Sequence, residues 1–353
     1  MRGLIAAGGH ATRLRPLTYS LPKQLISVAN KPIIFYVLED LADAGITDVV
    51  IVVAPHSADA IRSTVGDGSR FGQKITYIVQ AEARGIADVV RVAEQELIGQ
   101  PFVMYLGDNV LEGGVRHLVE EFERENPNAS ILLTKVEHPE AFGVAVLDGD
   151  RVVRLVEKPK ERISDLALVG VYLFDESVWE SVKAIEPSFR DEYEITDTIQ
   201  HMIDRGLKVR PHVHHGWWLD TGKKDDMLEA NRTILETLER SIVGDVEEST
   251  VEGRVVISEG AKVVRSQIRG PAIIGAGAHV VDSYIGPYSA IGAGCVIEDA
   301  EVEHSILLDE AKVFGVRRVT DSIFGRGAVA TRDQGSQRAY RFMIGDNSNV
   351  SVV

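Results

Sequence analysis

Leu4-Ile5-Ala6-Ala7-Gly8-Gly9-His10-Ala11-Thr12-Arg13-Leu14-Arg15-Pro16-Leu17-Thr18, continued by Leu21-Pro22-Lys23-Gln24, decides how this chain is read. A short apolar run, read as a buried β-strand, leads straight into two glycines. Glycine lets the backbone turn sharply and come close to a bound group. His10, Thr12, Arg13, Arg15 and Lys23 follow, so bare N–H groups and fixed cations gather where an anion would sit. That combination suits a phosphate chain; a surface loop that carries arginines is the other reading. The stretch is not a P-loop, because no Gly-Lys-Ser/Thr follows at the required spacing, and it lacks the third glycine of a dinucleotide fingerprint.

Outward from this loop, strands and helices alternate. Ile33, Ile34, Val37, Leu38 and Leu41 share a helix face that Gly45 can close. Residues 49–53 are a continuous apolar run, typical of a strand covered on both faces. A helix is expected over 58–65, a strand over 75–79, a helix over 87–97 and a strand over 102–106. Further strands are expected over 129–136 and 144–156, with a turn at Asp148-Gly149-Asp150. The alternation predicts an α/β fold: a three-layer, mostly parallel sheet with right-handed crossovers.

The chain has 353 residues, enough for two cores. A formal charge of −15 argues against a nucleic-acid partner, since a polyanion is repelled outside any local basic patch. Cys295 is the only cysteine, which excludes an intrachain disulfide and suits a reducing cytoplasm. No apolar run reaches membrane-spanning length, so no membrane partner is expected.

Ligands of such sheets bind beyond the carboxyl ends of strands. Gln80 stands at one such end with Gly85 nearby, and its amide has the donor and acceptor needed to read a base edge. An ordinary polar loop fits as well. Gly107-Asp108-Asn109 stands at another end, where Asp108 either ligates Mg²⁺ or caps the next turn. Glu157-Lys158-Pro159 is either a solvated ion pair or an ammonium aimed at a phosphate. Arg190-Asp191-Glu192-Tyr193-Glu194 reads as a helix entry with its acids in the first turn. Trp217-Trp218-Leu219-Asp220-Thr221-Gly222 is packing plus a cap, or a second acidic anchor. His212, His214 and His215 invite a metal reading, but two alternate histidines at strand spacing suit one polar face better. A helix from Asp226 to about Arg240 ends this part.

Beyond about Val251 the texture changes. Ile268, Ile274, Val280, Ile285, Ile291, Ile297, Val302 and Leu307 recur every five or six residues, with glycines at Gly275, Gly286 and Gly292. A period near six without helical patterning marks a parallel β-helix whose rungs stack apolar residues inward. The expected division is 1–240 catalytic, 241–250 linker, 251–330 β-helix and 331–353 tail.

Taken together, the loop and these motifs resemble the sugar-1-phosphate nucleotidyltransferases, whose signature is Gly-Gly-x-Gly-Thr-Arg-Leu followed by Pro-Lys-Gln/Pro. The likeness covers nearly the whole chain and matches the long form with a hexapeptide-repeat, left-handed β-helix. It implies a Rossmann-like nucleotidyltransferase domain and a homo-oligomer. It also implies dTTP and glucose 1-phosphate as substrates and Mg²⁺ as cofactor, with dTDP-glucose and pyrophosphate as products. UTP or another hexose 1-phosphate would be the alternative substrate. By the same resemblance Gly8, Gly9, Ala11, Thr12, Arg13, Lys23, Gln24, Gln80 and Gly85 hold the nucleotide. Asn109, Gly143, Glu157, Lys158, Leu168 and Arg190 hold the sugar phosphate. Asp108 and Asp220 ligate the metal, and Arg13, Lys23, Asp108, Lys158 and Asp220 carry catalysis. Two departures stand out: Ala11 and Asp191 occupy positions where the family has glycine. If Ala11 needs a positive φ, it costs on the order of 1–2 kcal/mol. A nucleotide-sensing homologue with little turnover is one rival reading. A β-helix acyltransferase with His279 and His304 as bases is another.

Overall fold

The computed structural model describes residues 1–9, 11–332 and 342–352. His10 and most of the polar segment 332–341 lie outside the described residues. By contact the chain forms two compact units that interleave along the sequence. The first is Met1–Gly9 with Ile34–Trp218, and the second is His10–Ile33 with Leu219–Val353.

The first unit is built on a nine-stranded sheet. Its parallel part runs Lys74–Val79, Asp48–Val53, Arg2–Ala7, Phe102–Leu106, in that spatial order. The register places Ile5 beside Ile51 on one side and Tyr105 on the other. Leu166–Phe174 pairs antiparallel with Phe102–Leu106 and with Ala129–Lys135, while Val209–Val213 adds a parallel edge. Strands 49–53 and 102–106 lie where the apolar runs put them, because a strand covered by helices on both faces has no polar side to alternate with. One face packs Leu4, Val50, Val52, Phe102 and Met104 against helices Ile86–Val92, Val178–Ala184 and Ile195–Asp204. Helix Ile33–Asp43 covers the other, where Tyr105 Oη donates to Asp40 Oδ2 at 2.9 Å. The helix expected over 87–97 breaks at Ala93 into Ile86–Val92 and Glu94–Leu97.

The second unit contains the β-helix. Three sheets of short parallel strands, of seven, seven and five strands among the described residues, run along it, and each of the first five coils gives one strand to each sheet. Lys262 pairs with His279 and His279 with Val296, a 17-residue coil. All eight periodic residues, from Ile268 to Leu307, are buried. The first coil already begins in the segment expected to be a linker. Ser241–Ile242 pairs with Val255–Ile257, and Asp245–Glu247 with Lys262–Val264. Its side chains are largely exposed, so it carries no apolar periodicity to read. At the far end, Met343–Ile344 and Asn349–Val352 extend two of the sheets.

The coils are tied by a device the apolar pattern hides. Glu248, Arg265, Asp282 and Asp299 turn one corner with φ near +47°, and the first three are each followed by serine. Ser249 Oγ accepts from Ser266 N at 2.9 Å, Ser266 Oγ from Ser283 N at 3.0 Å, and Ser283 Oγ from Ala300 N at 3.2 Å. Each of these hydroxyls also donates to the carbonyl two residues back, so a buried corner N–H and C=O are satisfied together.

Candidate functional site

In the second unit the signature loop folds as three short 3₁₀ turns, Thr12–Leu14, Leu17–Tyr19 and Lys23–Leu25. Ala11 begins the first of them at φ 44°, ψ 44°, the left-handed region. Its carbonyl accepts from Leu14 N at 3.1 Å and Thr18 Oγ1 at 2.9 Å, which fixes that strained geometry. The missing glycine therefore has a cost. Ala11→Gly relieves about 1–2 kcal/mol of left-handed strain and loses about 0.4–1 kcal/mol to the freer unfolded chain. A net gain of about 0.5–1 kcal/mol should raise the calorimetric Tm by about 1–4 °C.

Lys23 is buried, and its Nζ lies 3.5 Å from Asp220 Oδ1, the carboxylate being one-third exposed. Arg13 joins them. A Cβ on Gly222 would fall 3.1 Å from Arg13 Nη2 and 3.5 Å from Asp220 Oδ1, so the glycine that ends the Asp-Thr-Gly turn leaves room for the guanidinium. Lys23 thus pairs with Asp220, and the Arg13 guanidinium lies against the glycine of the same Asp-Thr-Gly turn. Gln24 is also buried, its Oε1 without a hydrogen-bond partner among the described residues. The loop is held from outside: Asn30 Nδ2 donates to Ile291 O at 2.6 Å, and Asn231 Oδ1 accepts from Ala29 N at 2.8 Å. Ser20 Oγ donates to Asp346 Oδ2 at 2.7 Å.

The first unit gathers two further groups. Gln80 stands just past strand Lys74–Val79, its N–H on Val53 O at 2.9 Å and its Nε2 on Asp88 Oδ2 at 2.7 Å. Gly8, at the end of the first strand, lies beside its Oε1. Gly85 has φ +96°, and a Cβ there would fall 2.5 Å from Tyr193 O. Asp88 was not among the expected residues, although an acid in the first turn of the helix after Gly85 was there to be noticed.

Around the sugar-side residues, Glu157 is the hub. Arg190 Nη1 lies 3.4 Å from Glu157 Oε1, Lys158 Nζ 3.6 Å from the same oxygen, and Thr196 Oγ1 3.4 Å from Oε2. Arg190 also pairs with Glu192 and approaches Glu194 Oε1 at 3.8 Å. Burial pushes the Glu194 carboxyl up from its ordinary range, opposed by the Ser188 hydroxyl that donates to it. A Cβ on Gly143 would meet Thr196 at 2.6 Å and Leu168 at 2.9 Å, so Gly143, Leu168 and Glu157 form one close-packed wall. Lys158 has φ +42° and Asp191 φ +58°, so the second missing glycine also falls at a left-handed position. Asn109 Nδ2 donates to Asp108 Oδ1 at 2.8 Å, and its Oδ1 accepts from Trp218 Nε1 at 2.5 Å, which fixes the amide. Of the expected metal pair, Asp108 belongs to the first unit and Asp220 to the second. Gly9 ends the first described segment, and Thr12 opens the first 3₁₀ turn.

The remaining candidates are occupied otherwise. His212 Nδ1 lies 3.1 Å from Glu121 Oε2, His214 Nε2 3.2 Å from Trp217 O, and His304 Nδ1 2.6 Å from Asp321 Oδ1. Among the described residues no group of three or more His, Cys, Asp or Glu is placed to hold a metal ion. A groove of about 630 Å³ along the β-helix corner is lined by the Arg265–Asp282 pair and Tyr284, and by none of the expected site residues. No helix among the described residues is long and apolar enough to cross a membrane.

A signature loop with a buried lysine beside a carboxylate, in a chain that also builds an α/β sheet, defines a class. The family model for nucleotidyl transferases matches residues 2–237, and the chain belongs to that family. More particularly, it is 51% identical to the glucose-1-phosphate thymidylyltransferase of Streptomyces antibioticus, over all of this chain and 99% of that one. It is 42% identical to the low-salt glycan biosynthesis nucleotidyltransferase Agl11 of Haloferax volcanii, over the full length of both. The solved structure of a Bacillus anthracis protein in complex with sucrose is similar with a TM-score of 0.64 and 35% identity, covering 68% of this chain and 97% of that one.

Proposed function

We propose that this protein joins dTTP and glucose 1-phosphate to give dTDP-glucose and pyrophosphate. The observation that carries the reading is the buried Lys23, 3.5 Å from Asp220 with Arg13 alongside. Fixed cations of this kind neutralise a triphosphate and the pyrophosphate that leaves it. The attacking oxygen of the sugar phosphate is already anionic near neutral pH, so the reaction needs positioning and charge neutralisation rather than a general base. Arg13 would act on the triphosphate and Lys23 on the reacting phosphates. Lys158 and Arg190 would hold the sugar phosphate in line, with Glu157 and the amide of Asn109 on the sugar. Gln80 and the bare backbone at Gly85 would take the base. Asp108 and Asp220 offer hard carboxylate oxygens, the donor type that Mg²⁺ takes, and would hold it. Bound there, the ion would supply charge neutralisation at the nucleotide phosphates.

The test is pyrophosphate release by the purified protein with Mg²⁺ and glucose 1-phosphate, across dTTP, UTP, GTP, CTP and ATP. Release fastest with dTTP is expected. No release with any pair, while dTTP still binds by calorimetry, would overturn the reading in favour of a nucleotide-sensing homologue.

A further inference from the structure

The amide of Gln80 is not free to choose which end it presents. Its side chain is buried, and its backbone N–H is fixed on Val53 O. One end of the amide meets Asp88 Oδ2 at 2.7 Å. An ionised carboxylate only accepts hydrogen bonds, so that end must be the NH₂. Asp88 stands in the first turn of helix Ile86–Val92. The carbonyl oxygen is thereby turned the other way, toward Gly8, where a Cβ would fall 3.2 Å from it. What Gln80 presents at the glycine turn is an acceptor alone.

We infer that Asp88 sets base specificity by holding the Gln80 amide so that only its carbonyl oxygen faces the base, which selects an imide pyrimidine over cytosine. Thymine and uracil carry a donor N3–H that this oxygen can accept, whereas cytosine carries a bare acceptor at N3. To donate to cytosine N3 the amide must flip, which sets its carbonyl against the Asp88 carboxylate. The inference rests on the reading above that Gln80 lies against the base. Asp88 acts through Gln80 and is a positioning residue, so its signature is a ratio between bases rather than a loss of activity.

The experiment measures Kd by calorimetry for dTTP and dCTP with the full-length protein and Mg²⁺, which does not depend on turnover. The wild type should favour dTTP by at least about 100-fold, since a site built to hydrogen-bond a ligand rejects the analogue that leaves it unpaired. Asp88→Asn presents either an oxygen or an NH₂, frees Gln80 to rotate, and should cut that preference about tenfold or more. Asp88→Ala should move the ratio in the same direction, and Asp88→Glu, which keeps an acceptor-only partner, should retain most of it. A ratio unchanged in both Asp88→Asn and Asp88→Ala would overturn the inference. Gln80→Ala separates the two levels of failure. If it weakens dTTP while the Asp88 variants keep the ratio, only the positioning role falls. If it leaves dTTP binding unchanged, the base-reading role of Gln80 falls and the inference with it.

Discussion

Lys23→Met should lower kcat/KM for pyrophosphate release by about 10²–10³-fold, the scale for removing one preorganised group that stabilises transition-state charge. Methionine keeps the length and apolar stem of the side chain, so the change removes the ammonium and little packing. Two effects compete for the interpretation. If Lys23 served mainly to pair a buried carboxylate, its loss would cost about 3–5 kcal/mol of stability. Asp220, however, is one-third exposed and 3.5 Å away, a loose pair in contact with solvent. Pairs of that kind contribute about 0–1 kcal/mol. Catalysis should therefore suffer far more than folding, with a fall in Tm of no more than about 4 °C. Steady-state kinetics beside a calorimetric melt decide the matter. A melt that drops by 10 °C with kcat/KM within threefold of wild type would assign Lys23 to structure and remove it from the chemistry.

The sequence shows most clearly what depends on neighbouring residues. Strands 49–53 and 102–106 announce themselves because burial on both faces demands an unbroken apolar run. The β-helix shows through Ile268 to Leu307 because each rung turns one apolar residue inward. What escaped notice is set by distant partners. The first coil, from Ser241 to Glu252, is exposed and so has no apolar signal, and only its pairing with later strands reveals it. The serine ladder is written at 17-residue intervals, at Ser249, Ser266 and Ser283, a longer period than the hexad that catches the eye. No glycine or proline marks the break at Ala93; its N–H simply turns to Val90 O. The signature loop groups with the β-helix rather than with the strand that introduces it, through bonds such as Asn30 to Ile291, 261 residues apart. Asp88 leaves no sequence signal because its importance lies in which end of the Gln80 amide it holds, which only the folded loop determines.

Gly85→Ala should destabilise the protein by about 3–5 kcal/mol and abolish measurable dTTP binding. Gly85 sits at φ 96°, ψ 173°, a region that is essentially glycine's alone and costs other residues about 1–3 kcal/mol. Strain is only the first part. The added Cβ would lie 2.5 Å from Tyr193 O and 2.8 Å from Tyr193 N, backbone atoms that cannot swing aside as a side-chain tip would. Tyr193 N–H donates to Arg84 O at 2.7 Å and Tyr193 O accepts from Ala87 N at 3.0 Å, so any shift that relieves the overlap also breaks these bonds. Each is worth about 1 kcal/mol. A Tm lower by about 6–20 °C is expected for a chain of this size. Gly9→Ala supplies the contrast within the same proposed site. A Cβ on Gly9 meets nothing within 4 Å among the described residues and its φ is not positive, so its stability should stay within about 0.5 kcal/mol of wild type. Any weakening of dTTP binding by Gly9→Ala would then report the approach of the nucleotide to bare backbone. The same weakening by Gly85→Ala would come with a damaged fold. If instead Gly85→Ala melts like wild type and binds dTTP normally, the close approach of Gly85 to Tyr193 is not what shapes this loop.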